Sequence, residues 1–107
     1  MIANQELNQK IYALHAMAGI SEESYDANGY PSRDYAGSIE EAIKLVEEVT
    51  QSTWVSIRSG CYFSSGGKVV VWRCAIDNEC EEDKTAARAI CLAYIAWKER
   101  TNEKINQ

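Results

Sequence analysis

Apolar side chains recur at helical spacing near the start of the chain. Within residues 4–18 they stand three or four positions apart, which places them along one face of a helix. These positions are Leu7, Ile11, Leu14 and Met17. Gly19 follows directly, and a glycine at this point is typical of a helix end. The pattern therefore predicts a first helix that ends just before Gly19.

A second helix is predicted to begin at Ser38. Ser38 and Glu41 have the spacing of a capping box, in which each side chain bonds to the backbone N–H of the other residue. Apolar residues then follow at helical spacing. They are Ile39, Ala42, Ile43, Val46 and Val49. We expect Ile43 and Val46 to be largely buried, because they lie on this stripe.

A third helix is predicted from Asp83 or Thr85 to about Glu103. Its apolar positions form a broad stripe, which is typical of a helix that is buried over much of its circumference. The stripe contains Ala86, Ala87, Ile90, Cys91, Ala93, Tyr94, Ile95 and Trp97. The large members Ile90, Tyr94 and Trp97 are expected to be mostly buried.

A β-hairpin is predicted between the second and third helices. Runs rich in β-branched and aromatic residues indicate strands over 53–59 and 68–76, and two serines and two glycines provide the turn. Side chains alternate between the faces of a strand, so Trp54 and Arg58 share one face, which Arg73 can join across the hairpin. Both faces also carry apolar residues. We therefore expect both to be covered, by helices or by a second subunit.

Two polar segments are predicted to be loops. Residues 20–37 contain the proline of the chain and an Asn-Gly pair. Three tyrosines are expected to hold this loop to the body: Tyr25, Tyr30 and Tyr35. Residues 77–83 are interpreted as an acidic loop, and residues 104–107 as a frayed end. The predicted fold is α+β, with the order helix–loop–helix–β-hairpin–helix in a single domain over residues 1–107.

Composition narrows the class of protein. The chain has 107 residues, of which 25% are charged, as in ordinary globular proteins. No apolar run approaches the ~20 residues of a membrane span, and the N-terminal segment lacks the apolar core of a secretion signal. A cytoplasmic location is therefore expected. The net charge of −5 disfavours duplex nucleic acid as a direct partner, because the long-range field repels it.

The sequence contains no motif typical of an enzyme or a metal site. The four cysteines form no C-x-x-C pair, and His15 is expected to be packed or solvated. The acidic run that ends at Asp83 lacks the ligand spacing of an EF-hand loop. Glycine-rich phosphate-binding motifs are missing as well. We therefore expect a non-enzymatic protein that has no cofactor.

Charge and aromatic side chains are unevenly distributed along the chain. Residues 53–76 carry a net charge of +3 and no acidic residue, whereas the whole chain carries −5. Four residues of this segment form the candidate ligand-binding face: Trp54, Arg58, Tyr62 and Arg73. Arginine pairs with phosphate in a bidentate manner and an aromatic ring stacks on a base, so these residues favour a nucleotide-like anion. The alternative is that the tryptophans are core residues and the arginines extend into solvent.

Three segments resemble the small phage proteins that carry the phage ABA sandwich domain. They are LNQKIYALHAMAG at 7–19, DYAGSIEEAIKLVEE at 34–48 and TAARAICLAYIAWKE at 85–99. In that family an Asp-Tyr pair precedes a short helix, and a Thr-Ala opening precedes a helix with an Ala-Ile-Cys sequence. The resemblance implies a layered α-β-α sandwich and a phage or prophage origin. It supplies no catalytic residue and does not extend to the basic hairpin.

These observations lead to one hypothesis and one alternative. The hypothesis is a phage accessory protein in the host cell cytoplasm that antagonises a host function, such as an antiviral defence, by sequestering a nucleotide-like signal. The alternative is an inhibitor that binds a host protein directly, with the acidic segments 39–49 and 77–83 mimicking nucleic acid. A small enzyme or a virion component is disfavoured. A homo-oligomer is expected, because open sheet edges are often closed by a second copy.

Overall fold

The computed structural model describes residues 2–20 and 24–105, with side chains up to residue 101. These residues form three helices and three strands: α1 (Asn4–Met17), α2 (Ile39–Val49), β1 (Val55–Ser64), β2 (Gly67–Ile76), β3 (Glu79–Asp83) and α3 (Ala86–Ile105). The expected α+β class is confirmed, with the helices and the hairpin in the predicted order. Of the expected frayed end, residues 104 and 105 belong to α3, and residues 106 and 107 lie outside the described part.

The two predicted helix starts are confirmed by their capping contacts. The Ser38 hydroxyl accepts a hydrogen bond from the Glu41 N–H at 3.4 Å. The other half of the predicted capping box is not formed, because the Ser38 N–H donates to the Asp34 carbonyl at 2.9 Å and the Glu41 carboxylate binds Lys44. At the start of α3, the Thr85 hydroxyl accepts a hydrogen bond from the Arg88 N–H at 3.2 Å. Each contact satisfies a backbone donor that the helix itself leaves unpaired. Thr85, rather than Asp83, therefore begins the last helix.

The strands form an antiparallel sheet in the order β1-β2-β3. β1 and β2 pair along their whole length, from Val55 opposite Ile76 to Ser64 opposite Gly67. β1 thus extends to Ser64, beyond the predicted end at residue 59. β3 is much shorter and pairs only with the far half of β2, up to Trp72. The hairpin is therefore longer than the part of the sheet that β3 supports.

Residues 77–83 are not the acidic loop that their composition suggested. Asp77 and Asn78 form a tight turn, in which Asp77 has a φ of 53°, and the chain then returns as β3. Asp and Asn tolerate positive φ better than most residues, which suits them to hairpin turns. Three carboxylates of β3 form ion pairs with arginines of neighbouring elements. The pairs are Glu79–Arg100, Glu82–Arg73 and Asp83–Arg88.

Helix α3 contacts all three strands and both other helices. It packs on the face of the sheet where Cys74 and Ile76 are fully buried. On the opposite face, Trp54 and Tyr62 are exposed over more than half of their surface. Within the described residues, the helices therefore lie on one side of the sheet. This layering differs from the α-β-α order implied by the resemblance, and the expected cover over both hairpin faces is absent from the described chain.

The core is built around α3. Ile90 and Tyr94 are fully buried, as predicted, and Trp97 packs at the edge of the core. His15 is also buried, and its Nε2 lies 2.8 Å from the Tyr94 hydroxyl, so it is a packed residue. None of the helices in the described residues combines the length and the apolar character needed to cross a bilayer.

Helix α2 buries only part of the predicted stripe, namely Ala42 and Val49, together with Leu45, which was not predicted. Ala42, Leu45 and Val49 face the core, whereas Ile43 is 37% exposed and Val46 is only partly buried. The prediction for Ile43 is therefore wrong. The reason is that α2 carries two overlapping apolar stripes, and periodicity alone does not show which one meets α3.

Two polar side chains of α1 hold the described part of the long loop. Asn8 donates a hydrogen bond to Asp34 Oδ1 at 2.8 Å and accepts one from the Ala36 N–H at 2.9 Å. The Tyr12 hydroxyl donates to the Ser24 carbonyl at 3.1 Å. These buried polar residues lie on the inner face of α1, where an apolar pattern gives no indication of them.

The three loop tyrosines have different roles. Tyr35 is buried, as a residue that holds the loop must be. Tyr25 is 58% exposed, although its ring meets Tyr12 edge-on at 5.5 Å between ring centres. Tyr30 is partly buried. The expectation that these tyrosines hold the loop to the body is therefore met fully by Tyr35 alone. Asn8 and Tyr12 of α1 form hydrogen bonds to the described part of the loop.

Ile90→Ala tests the central position of α3. Because Ile90 is fully buried, its truncation leaves a cavity, and we expect the free energy of unfolding in urea to fall by about 2–5 kcal/mol. Met17→Ala is the control, since truncation of a side chain that is 71% exposed at the end of α1 is expected to cost less than about 1 kcal/mol. Equal losses in the two variants would contradict this packing.

Candidate binding face

The strand register brings the four predicted ligand-binding residues onto one face of the sheet. Arg58 pairs directly with Arg73, and Tyr62 lies four positions further along β1 on the same side. Trp54 precedes β1 by one residue and continues the alternation, with its carbonyl accepting the Asp77 N–H at 3.4 Å. We call this surface, made by Trp54, Arg58, Tyr62 and Arg73, the open face.

The open face is exposed rather than part of the core. Trp54 is 55% exposed and Tyr62 is 54% exposed, and both arginines are exposed as well. Trp72, by contrast, points to the other side of the sheet and packs partly buried against the core. The alternative interpretation of the tryptophans as core residues is therefore correct for Trp72 and wrong for Trp54.

Arg73 is already engaged within the chain. Its Nε donates a hydrogen bond to Glu82 Oε1 at 2.8 Å, from the neighbouring strand β3. This hydrogen bond and the charge of Glu82 raise the pKa of Arg73 above its usual value. Glu82 also adds a negative charge to the open face, which weakens any anion site there. This ion pair was not predicted from the sequence, because residues 77–83 were interpreted as a loop.

The dimensions of the open face distinguish between ligands. Trp54 and Tyr62 are eight positions apart, which at ~3.3 Å per residue corresponds to about 26 Å along the strand. Arg58 lies midway between them. A single nucleotide stacked on one ring therefore cannot reach the other. Small-molecule sites are usually concave and bury most of the ligand, whereas this surface is extended and exposed.

Two grooves lie away from the open face. One of about 330 Å³ is lined by Asn4, Ala36, Gly37, Ile39 and residues 85–88. Arg88 in this groove is bound to Asp83, with 3.1 Å between Arg88 Nε and Asp83 Oδ1. A second groove of about 320 Å³ lies between α1 and the long loop. The four predicted residues line neither groove.

The end of the hairpin projects from the body. We call residues 60–71 the arm, because they lie beyond Trp72, the last residue of β2 that pairs with β3. Phe63 is 80% exposed and Val70 is 46% exposed, on the face opposite to Tyr62. The sequence prediction missed this surface, since it ended the first strand at residue 59. A run of aromatic residues reaching the turn was the available indication.

The acidic surfaces are partly neutralised by ion pairs. In α2, Glu41 binds Lys44 at 3.1 Å, and Glu48 lies 3.8 Å from Lys98. Together with the arginine pairs of β3, these contacts reduce the uninterrupted negative charge that nucleic-acid mimicry requires. Among the described residues, no group of three or more His, Cys, Asp or Glu is arranged to hold a metal ion.

The cysteines fall into two classes. Cys74 and Cys91 are fully buried, and burial raises the pKa of these thiols to about 11 and about 12. A buried thiol that stays protonated is a poor nucleophile. Cys61 and Cys80 are exposed, Cys61 on the arm and Cys80 on β3.

No family model, curated protein or solved structure matches this chain. The resemblance to the phage ABA sandwich domain therefore stays a prediction from the sequence segments alone. A fold does not by itself imply a function, which depends on the side chains that the fold brings together.

Thiol reactivity tests the assignment of the cysteines. At pH 8, Ellman's reagent is expected to modify Cys61 and Cys80 rapidly, while Cys74 and Cys91 react only after unfolding, because the thiolate is the reacting species. Cys61→Ser and Cys80→Ser should each remove one fast-reacting thiol. Four fast-reacting thiols in the folded protein would contradict the buried positions of the other two.

Proposed function

We propose that this chain is a non-enzymatic binding protein and that the open face binds a protein partner. The observation that carries the proposal is the exposure of Trp54 and Tyr62 on either side of Arg58, on a sheet face that the described helices leave uncovered. Trp54 and Tyr62 are two separate exposed rings rather than one apolar patch, and they share one uncovered side of the sheet with Arg58. Tryptophan, tyrosine and arginine are also the residue types that dominate binding energy at protein interfaces.

The electrostatics of the hairpin indicate the chemistry of the partner. Residues 53–76 carry no acidic side chain, and Arg58 is exposed at the centre of the open face. A partner surface with a carboxylate opposite Arg58 gains a charge-assisted hydrogen bond. Apolar pockets on each side of that carboxylate would receive Trp54 and Tyr62. We therefore propose a partner with an acidic, partly apolar surface about 26 Å long, the span of the two rings.

The biological role follows from the resemblance stated above. A small phage accessory protein that binds a protein of the host cell cytoplasm can antagonise a host function, such as an antiviral defence, by covering the surface that this function needs. The proposed role is thus direct inhibition of a host protein by the open face, instead of by the acidic segments 39–49 and 77–83. Mimicry of nucleic acid by acidic segments receives less support, because Glu79, Glu82 and Asp83 are each paired with an arginine.

Binding of a nucleotide-like signal is the second candidate function. It is favoured by the exposed guanidinium of Arg58 between two exposed aromatic rings, a combination that suits phosphate binding and base stacking. The distance between the rings restricts it to a ligand that uses one ring, or to a short single strand that reaches both. Calorimetry with mono-, di- and cyclic nucleotides tests it, and affinities weaker than millimolar throughout this panel would remove this candidate.

Arg58→Ala tests the proposed function. In quantitative affinity capture from host-cell extract, a partner of the open face should be enriched by the unmodified chain and lost with Arg58→Ala by at least about 10-fold, as for a central interface arginine. The melting temperature should be nearly unchanged, because Arg58 is exposed.

Lys10→Ala is the matched control for this experiment. It removes the same charge from an exposed position of α1, away from the hairpin, and should leave capture intact. A captured protein then has to bind in calorimetry with purified components, again with a loss in Arg58→Ala. Equal capture by the unmodified chain and by Arg58→Ala would remove the open face as the partner site.

A further inference from the structure

The arm has a second exposed surface, on the face opposite to the open face. Phe63 pairs directly with Lys68, and Cys61 pairs with Val70, so these four side chains form a continuous patch. Phe63 is 80% exposed and Val70 is 46% exposed. A two-stranded hairpin without cover on either face is at best marginally stable in water. The arm is therefore expected to pack against another surface.

Helix α2 carries an exposed apolar strip that the core does not use. Ile39 is 47% exposed, Ile43 is 37% exposed, and Val46 is partly buried beside them. Positions four and three residues apart lie along one line on a helix surface. Glu40 and Glu47, both exposed, flank this strip on its solvent side. The border of the strip thus carries two carboxylates, with Lys44 between them, and Lys44 is itself paired with Glu41 at 3.1 Å.

These two surfaces are complementary in polarity and in charge. The arm offers Phe63 and Val70 beside the cation of Lys68, with no acidic residue anywhere in 53–76. The α2 strip offers isoleucines beside two carboxylates. We propose that the inner face of the arm, which carries Phe63 and Val70, docks on the α2 strip of a second copy of this chain. The arm of each copy then packs against α2 of the other copy, an arrangement that we call arm exchange. Such a contact is made twice in a two-fold dimer and closes on itself.

The fold places both surfaces at the same end of the molecule. Asp83 pairs with Trp72 at the base of the arm and binds Arg88 in the first turn of α3. Residues 85–88 line one groove together with Ile39, the first residue of α2. The base of the arm and the start of α2 are therefore close neighbours. A two-fold axis at this end brings each arm alongside α2 of the other copy.

Charge also argues against the competing way to join two copies. Pairing of two β1 edges would extend the sheet, but β1 carries one charged residue, Arg58, and offers no carboxylate to the Arg58 of the other copy. Like charges that face each other across strands are destabilising. Docking of the arm on α2 instead joins the basic part of one copy to an acidic part of the other. This dimer does not require that the open face binds any partner.

Sedimentation velocity on two neighbouring variants tests the proposal. Phe63→Ser removes the apolar anchor of the inner face and should raise the dissociation constant of the dimer by about 10-fold or more. Tyr62→Ser is the matched control, because it makes a similar change one residue away on the opposite face, and it should leave the dimer unchanged. A monomeric unmodified chain at high micromolar concentration, or equal effects of the two variants, would overturn the proposal.

Charge exchange between the two surfaces gives a test that misfolding cannot imitate. Glu40→Lys/Glu47→Lys should weaken the dimer by placing cations opposite Lys68. Adding Lys68→Glu to this variant should restore association, whereas Lys68→Glu alone should weaken it. Failure of the combined variant to recover, with all variants showing the helical circular dichroism of the unmodified chain, would overturn the contact between the arm and α2.

Crosslinking locates the contact. In a Cys80→Ser background, Ile43→Cys should form an intermolecular disulfide with Cys61 of the other copy under copper-catalysed air oxidation. Gln9→Cys, an exposed position on α1, is the control and should not crosslink at low protein concentration. An intermolecular disulfide in the Cys80→Ser background alone would indicate that two Cys61 thiols meet, which is edge-to-edge pairing and overturns the proposal.

The two proposals fail independently. Loss of partner capture with Tyr62→Ser, together with an intact dimer, supports binding at the open face and leaves arm exchange standing. Loss of the dimer with Phe63→Ser, with no partner captured by any variant, supports arm exchange and removes the proposed function. Sedimentation and affinity capture on the same pair of variants therefore separate the two.

Discussion

The packing of α3 on β2 is the contact from which the rest of the chain takes its position. Cys74 and Ile76 of β2 are fully buried beneath this helix, and α3 in turn contacts α1 and α2. Three buried alanines of α3 allow its neighbours to approach closely, which is how one helix serves so many contacts. They are Ala87, Ala89 and Ala93. The hairpin is therefore anchored by its base alone, and its far end is held by strand pairing.

The parts of this fold that could be predicted are those specified by local pattern. The caps at Ser38 and Thr85, the broad apolar stripe of α3 and the alternation along the hairpin are each specified by residues close together in sequence. The stripe on α2 was misread at Ile43, because the helix is apolar around more of its surface than α3 covers. Which stripe is buried depends on a partner far away in the sequence.

Strand β3 shows why composition misleads where stability is supplied from a distance. Five residues with four acidic side chains have low strand propensity, and nothing in their own sequence favours pairing. Three of these carboxylates pair with arginines that are distant from one another: Arg73 on β2, Arg88 in the first turn of α3 and Arg100 further along α3. The pairing of β3 with β2 also changes the candidate site, because Glu82 binds Arg73, which the sequence analysis assigned to ligand binding.

Alternation along the hairpin was sufficient to group Trp54, Arg58 and Arg73 on one face, but it did not place Tyr62, which lies beyond the predicted strand, and it gave neither exposure nor spacing in three dimensions. Trp54 and Trp72 both stand in segments predicted as strands, yet one is open and the other packs against the core. The difference comes from the single side on which the helices lie. The open face is extended because β1 is long. The sequence prediction ended this strand at residue 59, whereas Cys61, Tyr62 and Phe63 continue it to the turn.

The attachment of the long loop to α1 has a consequence for local unfolding. Asn8 and Tyr12 are one helical turn apart, and their side chains hold the loop at Ala36 and Ser24. If α1 opens, both attachments are lost in one event, whereas the β-hairpin has no part in them. The described part of the loop and α1 therefore form one cooperative unit, in which backbone amides exchange hydrogen with solvent together and separately from the sheet.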